Sequence, residues 1–246
     1  MSATPAAQPD PDFERTARAI LARIEPEWTD AEITRRIEDL RAGPAATGTP
    51  APARWQDTII ARHIPRGASV LDLGCGGGEL LARLMQERAV RGQGVELNPE
   101  AVVACIQRGV PVLQSDLDAG LRGFPDGSFD AVVLEETLQT LHRPLQILEE
   151  MLRVGRMGVV SFPNFGAWRV RLGLALTGRM PITPGLPHRW FDTPNIHLFT
   201  IGDFVEWIDS ADVRVVQAYA WRAGTVGPLA EDDNLRADEA LFFLTR

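Results

Sequence analysis

The spacing of apolar residues changes period along the chain, and those changes divide it into segments. Between Phe13 and Leu40, Ile20, Leu21, Ile24, Ile33, Ile37 and Leu40 recur at helical intervals. Thr29 and Asp30 stand between the two halves and are residue types that cap helix N-termini, so a helical extension of two helices is predicted over 11–42. Residues 1–10, rich in Ala and Pro, read as a disordered tail, and residues 43–53, which concentrate Gly, Pro and Thr, read as a linker. From residue 54 onward short apolar runs alternate with helical spacing. The runs are Ser69 to Leu73, one ending in Gly94-Val95-Glu96, Pro111 to Gln114, Phe129 to Leu134 and Gly158 to Phe162. Such compact runs suit strands buried on both faces. A short helix up to about His63, another over Glu79 to Glu87 and one starting at Pro99, with Val102, Val103 and Ile106 on its apolar side, complete a doubly wound, mostly parallel α/β pattern.

Residues 163–198 break the alternation. They mix Pro, Trp, Arg and His over a length that an ordinary connection does not need, and so predict an ordered functional insertion after the fifth strand. A helix near Asp203 to Ser210, a strand near Val213 to Ala218 and a last strand over Ala240 to Leu244 follow. The expectation is one Rossmann-like α/β domain over 54–246 with a seven-stranded sheet and helices on both faces.

Composition narrows the function classes. Hydrophobic residues make up 45% of the 246 and charged residues 24%, which suffices for a packed core. A net charge of −8 disfavours broad nucleic-acid or anionic-membrane binding. Cys75 and Cys105 make no disulfide framework, no Cys/His cluster has metal-ligand spacing, and neither a signal peptide nor a stretch of ~20 apolar residues is present. A cytoplasmic protein without a metal is expected.

The strongest chemical signal is Asp72-Leu73-Gly74-Cys75-Gly76-Gly77-Gly78-Glu79, at the junction of the first strand with its helix. Glycines there permit positive φ and close approach of backbone amides to a ligand at the carboxyl end of the sheet. The dinucleotide fingerprint is incomplete, because counting from Gly74 or from Gly76 puts Glu79 or Leu81 where its third glycine belongs. Glu79 in the helix's first turn and Asp72 beneath it disfavour a pyrophosphate and favour a cationic ligand such as S-adenosylmethionine. Glu96, about 20 residues past the turn, is placed to accept both hydroxyl protons of a ribose, and Asp116 to accept from an adenine amino group. The plain alternatives are a helix cap for Glu96 and a solvated loop acid for Asp116. Cys75 and Cys105 read as packed, unreactive thiols.

Val70 to Leu84, Gly94-Val95-Glu96 and Gln114-Ser115-Asp116-Leu117 together resemble the cofactor motifs of class I S-adenosylmethionine-dependent methyltransferases. More narrowly, Thr137-Leu138-Gln139, Ser161-Phe162-Pro163-Asn164-Phe165-Gly166, Trp168-Arg169-Val170-Arg171, Gly178-Arg179-Met180-Pro181 and Trp190 to His197 resemble the MetW family of methionine-biosynthesis proteins. The resemblance spans residues 55–246 and leaves 1–50 outside. It implies a seven-stranded class I methyltransferase sheet that holds S-adenosylmethionine or S-adenosylhomocysteine through Asp72, Gly74, Cys75, Gly76, Glu96, Leu97, Asp116, Leu117 and Glu135. It also implies a place in methionine biosynthesis beside a MetX-like homoserine O-acyltransferase. Fold does not establish chemistry, so two functions stay open: a binding and regulatory partner of that acyltransferase, or a methyltransferase on a small-molecule acceptor.

For a methyltransferase, His142, His188, His197 and Asp192 are candidate bases. Asp192, Asn195 and His197 read equally as a hydrogen-bonded loop scaffold, and Glu135-Glu136-Thr137 stands where many amino-group methyltransferases carry Asn-Pro-Pro-Tyr. For a partner module, Phe165, Trp168, Arg169, Arg171, Arg179 and Trp190 supply the aromatic and Arg chemistry of interface centres. The same rings read as a roof over the cofactor pocket.

Overall fold

The protein is described here by a computed structural model over residues 11–24, 26–42 and 54–246; the predicted tail (1–10) and linker (43–53) lie outside the described residues. The elements run α1 (Pro11–Ile24), α2 (Asp30–Ala42), α3 (Trp55–His63), β1 (Ser69–Leu73), α4 (Glu79–Arg88), β2 (Arg91–Glu96), α5 (Pro99–Gln107), β3 (Val112–Gln114), β4 (Ala131–Glu135), α6 (Pro144–Val154), β5 (Gly158–Pro163), α7 (Trp168–Thr177), α8 (Ile201–Ser210), β6 (Arg214–Arg222), β7 (Thr225–Pro228), α9 (Asp233–Arg236) and β8 (Glu239–Thr245). They form one sheet of order β3-β2-β1-β4-β5-β8-β6-β7. Strands β1 to β5 are parallel, and β8 inserts antiparallel between β5 and β6.

The sheet has eight strands, not the seven expected. The extra strand, β7, pairs antiparallel with β6 across the two-residue turn Ala223-Gly224, whose φ values of 49° and 99° are both positive. Such a turn matches the twist of a tight hairpin. In the sequence, Thr-Val-Gly-Pro carries two residue types that punctuate strands, which hides an edge strand at this position.

Alternation along the central strands builds two cores. Val132 and Leu134 of β4 face one side, with Ile147 and Met151 of α6 and Phe204 of α8, while Ala131 and Val133 face the other, with Leu80, Leu81 and Leu84 of α4. Burial on both faces is what the compact apolar runs require.

The N-terminal helices are not a free appendage. Ala17 and Leu21 of α1 and Ile33 and Ile37 of α2 bury against Trp168 and Leu172 of α7, with Trp28 edge-on to Trp168 at 5.9 Å between ring centres. Thr29 caps α2 reciprocally with Glu32: its N–H donates to the Glu32 carboxylate at 2.7 Å, and its hydroxyl accepts from the Glu32 N–H at 3.3 Å. Asn164, fully buried just after β5, pins the start of the insertion. Its Nδ2 donates to the carbonyls of Asp233 (3.3 Å), Asn234 (3.2 Å) and Ala237 (2.8 Å), and its Oδ1 accepts from the N–H groups of Gly166 (2.9 Å) and Ile201 (3.2 Å). After α7 the insertion runs to residue 200 without another helix or strand.

Candidate functional site

The glycine turn sits at the carboxyl end of β1 and crosses onto β2: the N–H groups of Gly74 and Cys75 both donate to the Val95 carbonyl, at 2.8 and 3.2 Å. Gly74, Gly76 and Gly78 adopt φ of 73°, 54° and 79°, which side chains disfavour. A Cβ on Gly74 would meet Thr137 at 2.6 Å, whereas one on Gly76 would meet open space, so the turn packs on the loop after β4 and opens beside Gly76. Glu96 ties the turn down. Its carboxylate accepts from the N–H groups of Gly76 (2.9 Å), Leu97 (2.9 Å) and Asn98 (2.8 Å). Beyond it, Val95, Leu113, Ser115, Asp116, Leu117 and Phe124 are among the residues lining a cavity of about 200 Å³. Asp116 keeps one oxygen on the Asp118 N–H at 2.9 Å and is otherwise exposed, Leu117 forms the buried floor, and Leu97 is exposed at the rim.

Two charges differ from their sequence reading. Glu79 pairs with Arg108 at 2.7 Å, and the same guanidinium donates to the Gly77 carbonyl at 2.9 Å, so a cation from the end of α5 offsets this acid. Asp72 is buried, and loss of solvent pushes its carboxyl up to about 7 despite the Arg54 charge. The acidity of the turn is therefore weaker than two full negative charges. Cys75 and Cys105 are buried with their sulfurs 3.7 Å apart, and burial raises both thiols. They are packing residues that fix the turn against Gly94, where a Cβ would fall 2.4 Å from the Cys75 sulfur.

Next to the turn the structure gathers acids from distant parts of the chain. Arg54, just before α3, lies 3.5 Å from Glu135. The Gln56 side-chain amide donates to Glu136 (3.3 Å) and Glu239 (2.9 Å), and the Trp55 indole donates to Glu239 at 2.6 Å. Burial raises every acid in the group: Asp57, Glu135 well above the ordinary range, Glu136 up to about 8 and Glu239 up to about 7. Glu136 holds φ of 49°, unusual for a side-chain-bearing residue, with its N–H on the Ser161 carbonyl (3.1 Å) and hydroxyl (3.2 Å). Gln139 follows, with its Nε2 on the Glu136 carbonyl at 2.8 Å, and its own carbonyl accepts from the N–H groups of Ile196 and His197 at 2.9 and 3.0 Å. The Gln139 side-chain oxygen and the His197 Nε2 are buried here with no hydrogen-bonding partner, while the Asp57 and Glu135 carboxyls share a side-chain hydrogen bond.

The residues named from the sequence thus separate. The turn, Glu96, Asp116, Leu117 and Glu135 line one end of the sheet, and His197 joins them by way of Gln139. His142 does not turn inward: its ring is exposed and its N–H rests on Asp118 at 3.1 Å. His188 and Asp192 are exposed, and Asp192 spends a carboxylate oxygen on the Arg189 N–H at 2.6 Å. Among the described residues the Asp192, Asn195 and His197 scaffold is not a mutual network: Asp192 and Asn195 are held locally, by Arg189 and Thr193, and His197 by the distant Gln139 carbonyl. Trp168 is 3% exposed inside the α1–α2–α7 core, so it is neither roof nor surface. Arg169 stacks on its ring at 4.5 Å and pairs with Asp238 at 3.3 Å, while Arg171 donates to the carbonyls of Gly166 and Asn234. Phe165 is half-buried, and Arg171, Arg179 and Trp190 of that candidate set are exposed. Arg54, Gln56, Asp57 and Glu239 were not singled out by sequence, and Gln139 only as part of the Thr137-Leu138-Gln139 motif; the Glu135-Glu136 pair was the one local sign of the acid group.

Among the described residues no helix is long and apolar enough to cross a membrane, and no group of three or more His, Cys, Asp or Glu is arranged to hold a metal ion. The fold is that of class I methyltransferases: the crystal structure of an S-adenosylmethionine-dependent methyltransferase from Archaeoglobus fulgidus superposes with a TM-score of 0.57 at 17% identity, covering 79% of this chain and 92% of that one. A ubiquinone biosynthesis O-methyltransferase of Xanthomonas campestris pv. campestris is 29% identical over 172 residues, which is 65% of this chain and 68% of that protein. The bifunctional methionine biosynthesis protein MetXA/MetW of Rhodopirellula baltica is 35% identical over 225 residues, or 87% of this chain; the chain spans 36% of that longer protein. Residues 54–244 match the profile of the methionine biosynthesis protein MetW family. The insertion motifs and the glycine turn lie inside that match, and the chain belongs to the MetW family of methionine biosynthesis.

Proposed function

We propose that this MetW-family chain binds S-adenosylmethionine in the cleft at the head of β1 and acts with a MetX-like homoserine O-acyltransferase, whose activity it regulates. The observation that carries the cofactor reading is Glu96, held by three backbone N–H groups between the open face of Gly76 and the cavity floored by Leu117. That placement suits a ribose flanked by an adenine pocket with Asp116 at its edge. Gly74, Cys75 and Gly76 would hold the methionyl arm, with Asp72 and Glu135 beneath it and Leu97 against the base. When bound, the cofactor supplies an electrophilic methyl group. This chain's residues position it and exclude water. The partner is supported by the Rhodopirellula relative, whose name joins MetXA and MetW in one polypeptide.

Calorimetry tests the cofactor: S-adenosylmethionine or S-adenosylhomocysteine should bind and NAD should not, and NAD binding alone would reverse the reading. Co-purification with the acyltransferase, followed by its assay with and without S-adenosylmethionine, tests the partner; unchanged rates would remove that half. A second reading, methyl transfer to a small-molecule acceptor, is favoured by the backbone-carbonyl contacts that bring Gln139 to Glu136 and His197 to Gln139 just beyond β4. It predicts S-adenosylhomocysteine formation from pathway metabolites.

A further inference from the structure

The geometry points to Arg153 of α6, braced by Glu150, as the residue that fixes one wall of the cavity beside Glu96 and so sets how selectively that cavity grips its base. Arg153 does not itself line the cavity, so it is a positioning residue. That the base is adenine rests on the proposed cofactor reading.

Gly120, Leu121, Gly123 and Phe124 supply the wall. They lie between Ala119 and β4, in a stretch with no helix or strand. Gly120 sits at a φ of 82°, and the stretch's own backbone bonds close only tight turns, such as Phe124 N–H on the Leu121 carbonyl at 2.9 Å and Ser128 N–H on the Pro125 carbonyl at 3.4 Å. A segment so poor in internal bonds keeps one conformation only if something else holds it. Arg153 does so from outside the cavity. Its Nη2 donates to the Leu121 carbonyl at 3.2 Å, and its Nη1 to the Phe124 carbonyl at 3.0 Å and the Asp126 carboxylate at 2.5 Å. Glu150, three positions earlier on the helix, aims the guanidinium: it accepts from Nε at 2.7 Å and from Nη2 at 2.8 Å, and takes the Leu121 N–H at 3.2 Å as well. All five N–H donors of the side chain are thereby used. At the other end of the same loop, Asp118 accepts from the N–H groups of His142 and Arg143, at 3.1 and 2.7 Å, just ahead of α6. The loop is gripped at both ends.

The two carbonyls that Arg153 holds belong to Leu121 and Phe124, both of which line the cavity. Leu121 is 2% exposed, and Phe124 packs edge-on against Phe129 with ring centres 5.8 Å apart. Displacing either carbonyl therefore changes the width of the cavity and how closely a base is held against Asp116 at its edge. An exposed ion pair would contribute little. Here the Arg153 and Glu150 side chains are only 26% and 21% exposed, and the carbonyl contacts fix position as well as charge. A Lys ammonium carries its three donors at one point and cannot span these partners, so Arg153→Lys keeps the charge and removes the geometry.

Calorimetry on the full chain compares S-adenosylhomocysteine with S-inosylhomocysteine, which carries an oxygen in place of the base's 6-amino group. The parent should prefer the adenine ligand. Arg153→Lys should weaken S-adenosylhomocysteine by about tenfold and shrink that preference by a similar factor, because a drifting wall no longer fixes the base against Asp116. Trp168→Ala, which loosens the separate α1–α2–α7 core, should lower the melting temperature and leave both affinities alone. If Arg153→Lys fails to fold, Asp126→Asn, at the 81% exposed end of the clasp, carries the same test and should move both quantities the same way. Unchanged binding in these variants, or an equal loss for both ligands with the preference intact, overturns the assignment of Arg153. A parent that binds both ligands equally refutes it too and leaves the cofactor cleft standing; a parent that binds neither overturns the cofactor reading and the role of Arg153 together.

Discussion

Replacing Asn164 by Ala isolates what holds the insertion on the sheet. The side chain is 1% exposed and makes five hydrogen bonds to β8's approach, α8 and the loop after β5. Not all five partners would be stranded. The Asp233 carbonyl also accepts from the Ala237 N–H at 3.0 Å, and the Asn234 carbonyl from Arg171 at 3.2 Å. The groups left bare are the N–H groups of Gly166 and Ile201 and the Ala237 carbonyl. At roughly 1–3 kcal/mol for each buried group left unpaired, and less where water can enter, the loss is about 3–5 kcal/mol. For a chain of this length that lowers the melting temperature by about 10 °C. Differential scanning calorimetry of the full chain reads it directly. A variant melting within about 2 °C of the parent would mean that the bonds contribute nothing net, and the structural account of this family motif would be wrong.

Further outcomes follow from the same contacts. Because burial raises Asp72, Glu136 and Glu239, the folded state binds protons that the unfolded state has released between the ordinary carboxyl range and about pH 7 to 8. Their stabilisation is therefore full below the unfolded pKa and lost as pH rises through the folded values, so melting temperature should fall from pH 5 to pH 8; a curve that rises across this window, or a Glu136→Gln and Glu239→Gln double variant no flatter than the parent, contradicts the assignment. Glu96→Ala removes the anchor of the glycine turn together with the proposed ribose contact, and calorimetry should show S-adenosylhomocysteine weakened by about 10- to 100-fold. Trp168→Ala should cost about 3–5 kcal/mol of stability through the cavity it leaves, whereas Trp190→Ala, at a site 77% exposed, should stay within about 0.5 kcal/mol and act, if anywhere, on the acyltransferase partner. Equal thermal denaturation of the two variants would refute that division.

The central sheet was readable because its determinants are local. Five compact apolar runs fall within a few residues of β1 to β5, and the glycine turn sits where strand meets helix. What escaped depends on partners far apart in sequence. Glu79 looked like an uncompensated charge because Arg108, 29 positions away, is invisible to a local reading. Trp168 and Arg169 combine aromatic and guanidinium groups just as an interface does, yet here the Arg169 guanidinium lies over a Trp168 ring packed inside the α1–α2–α7 core. Glu239 opens a strand and carries no motif; only the fold brings it to Trp55.

That last contact has a consequence for how the protein comes into being. Trp55 and Glu239 are separated by 184 positions, and the strand bearing Glu239 wedges between two others at the far end of the chain. Pairing across so long a separation slows folding, because the entropy of closing the loop is spent before the contact rewards it. A nascent chain can assemble the glycine turn before β8 is made, but the neighbouring acid group is complete only once β8 has inserted between β5 and β6 and delivered Glu239.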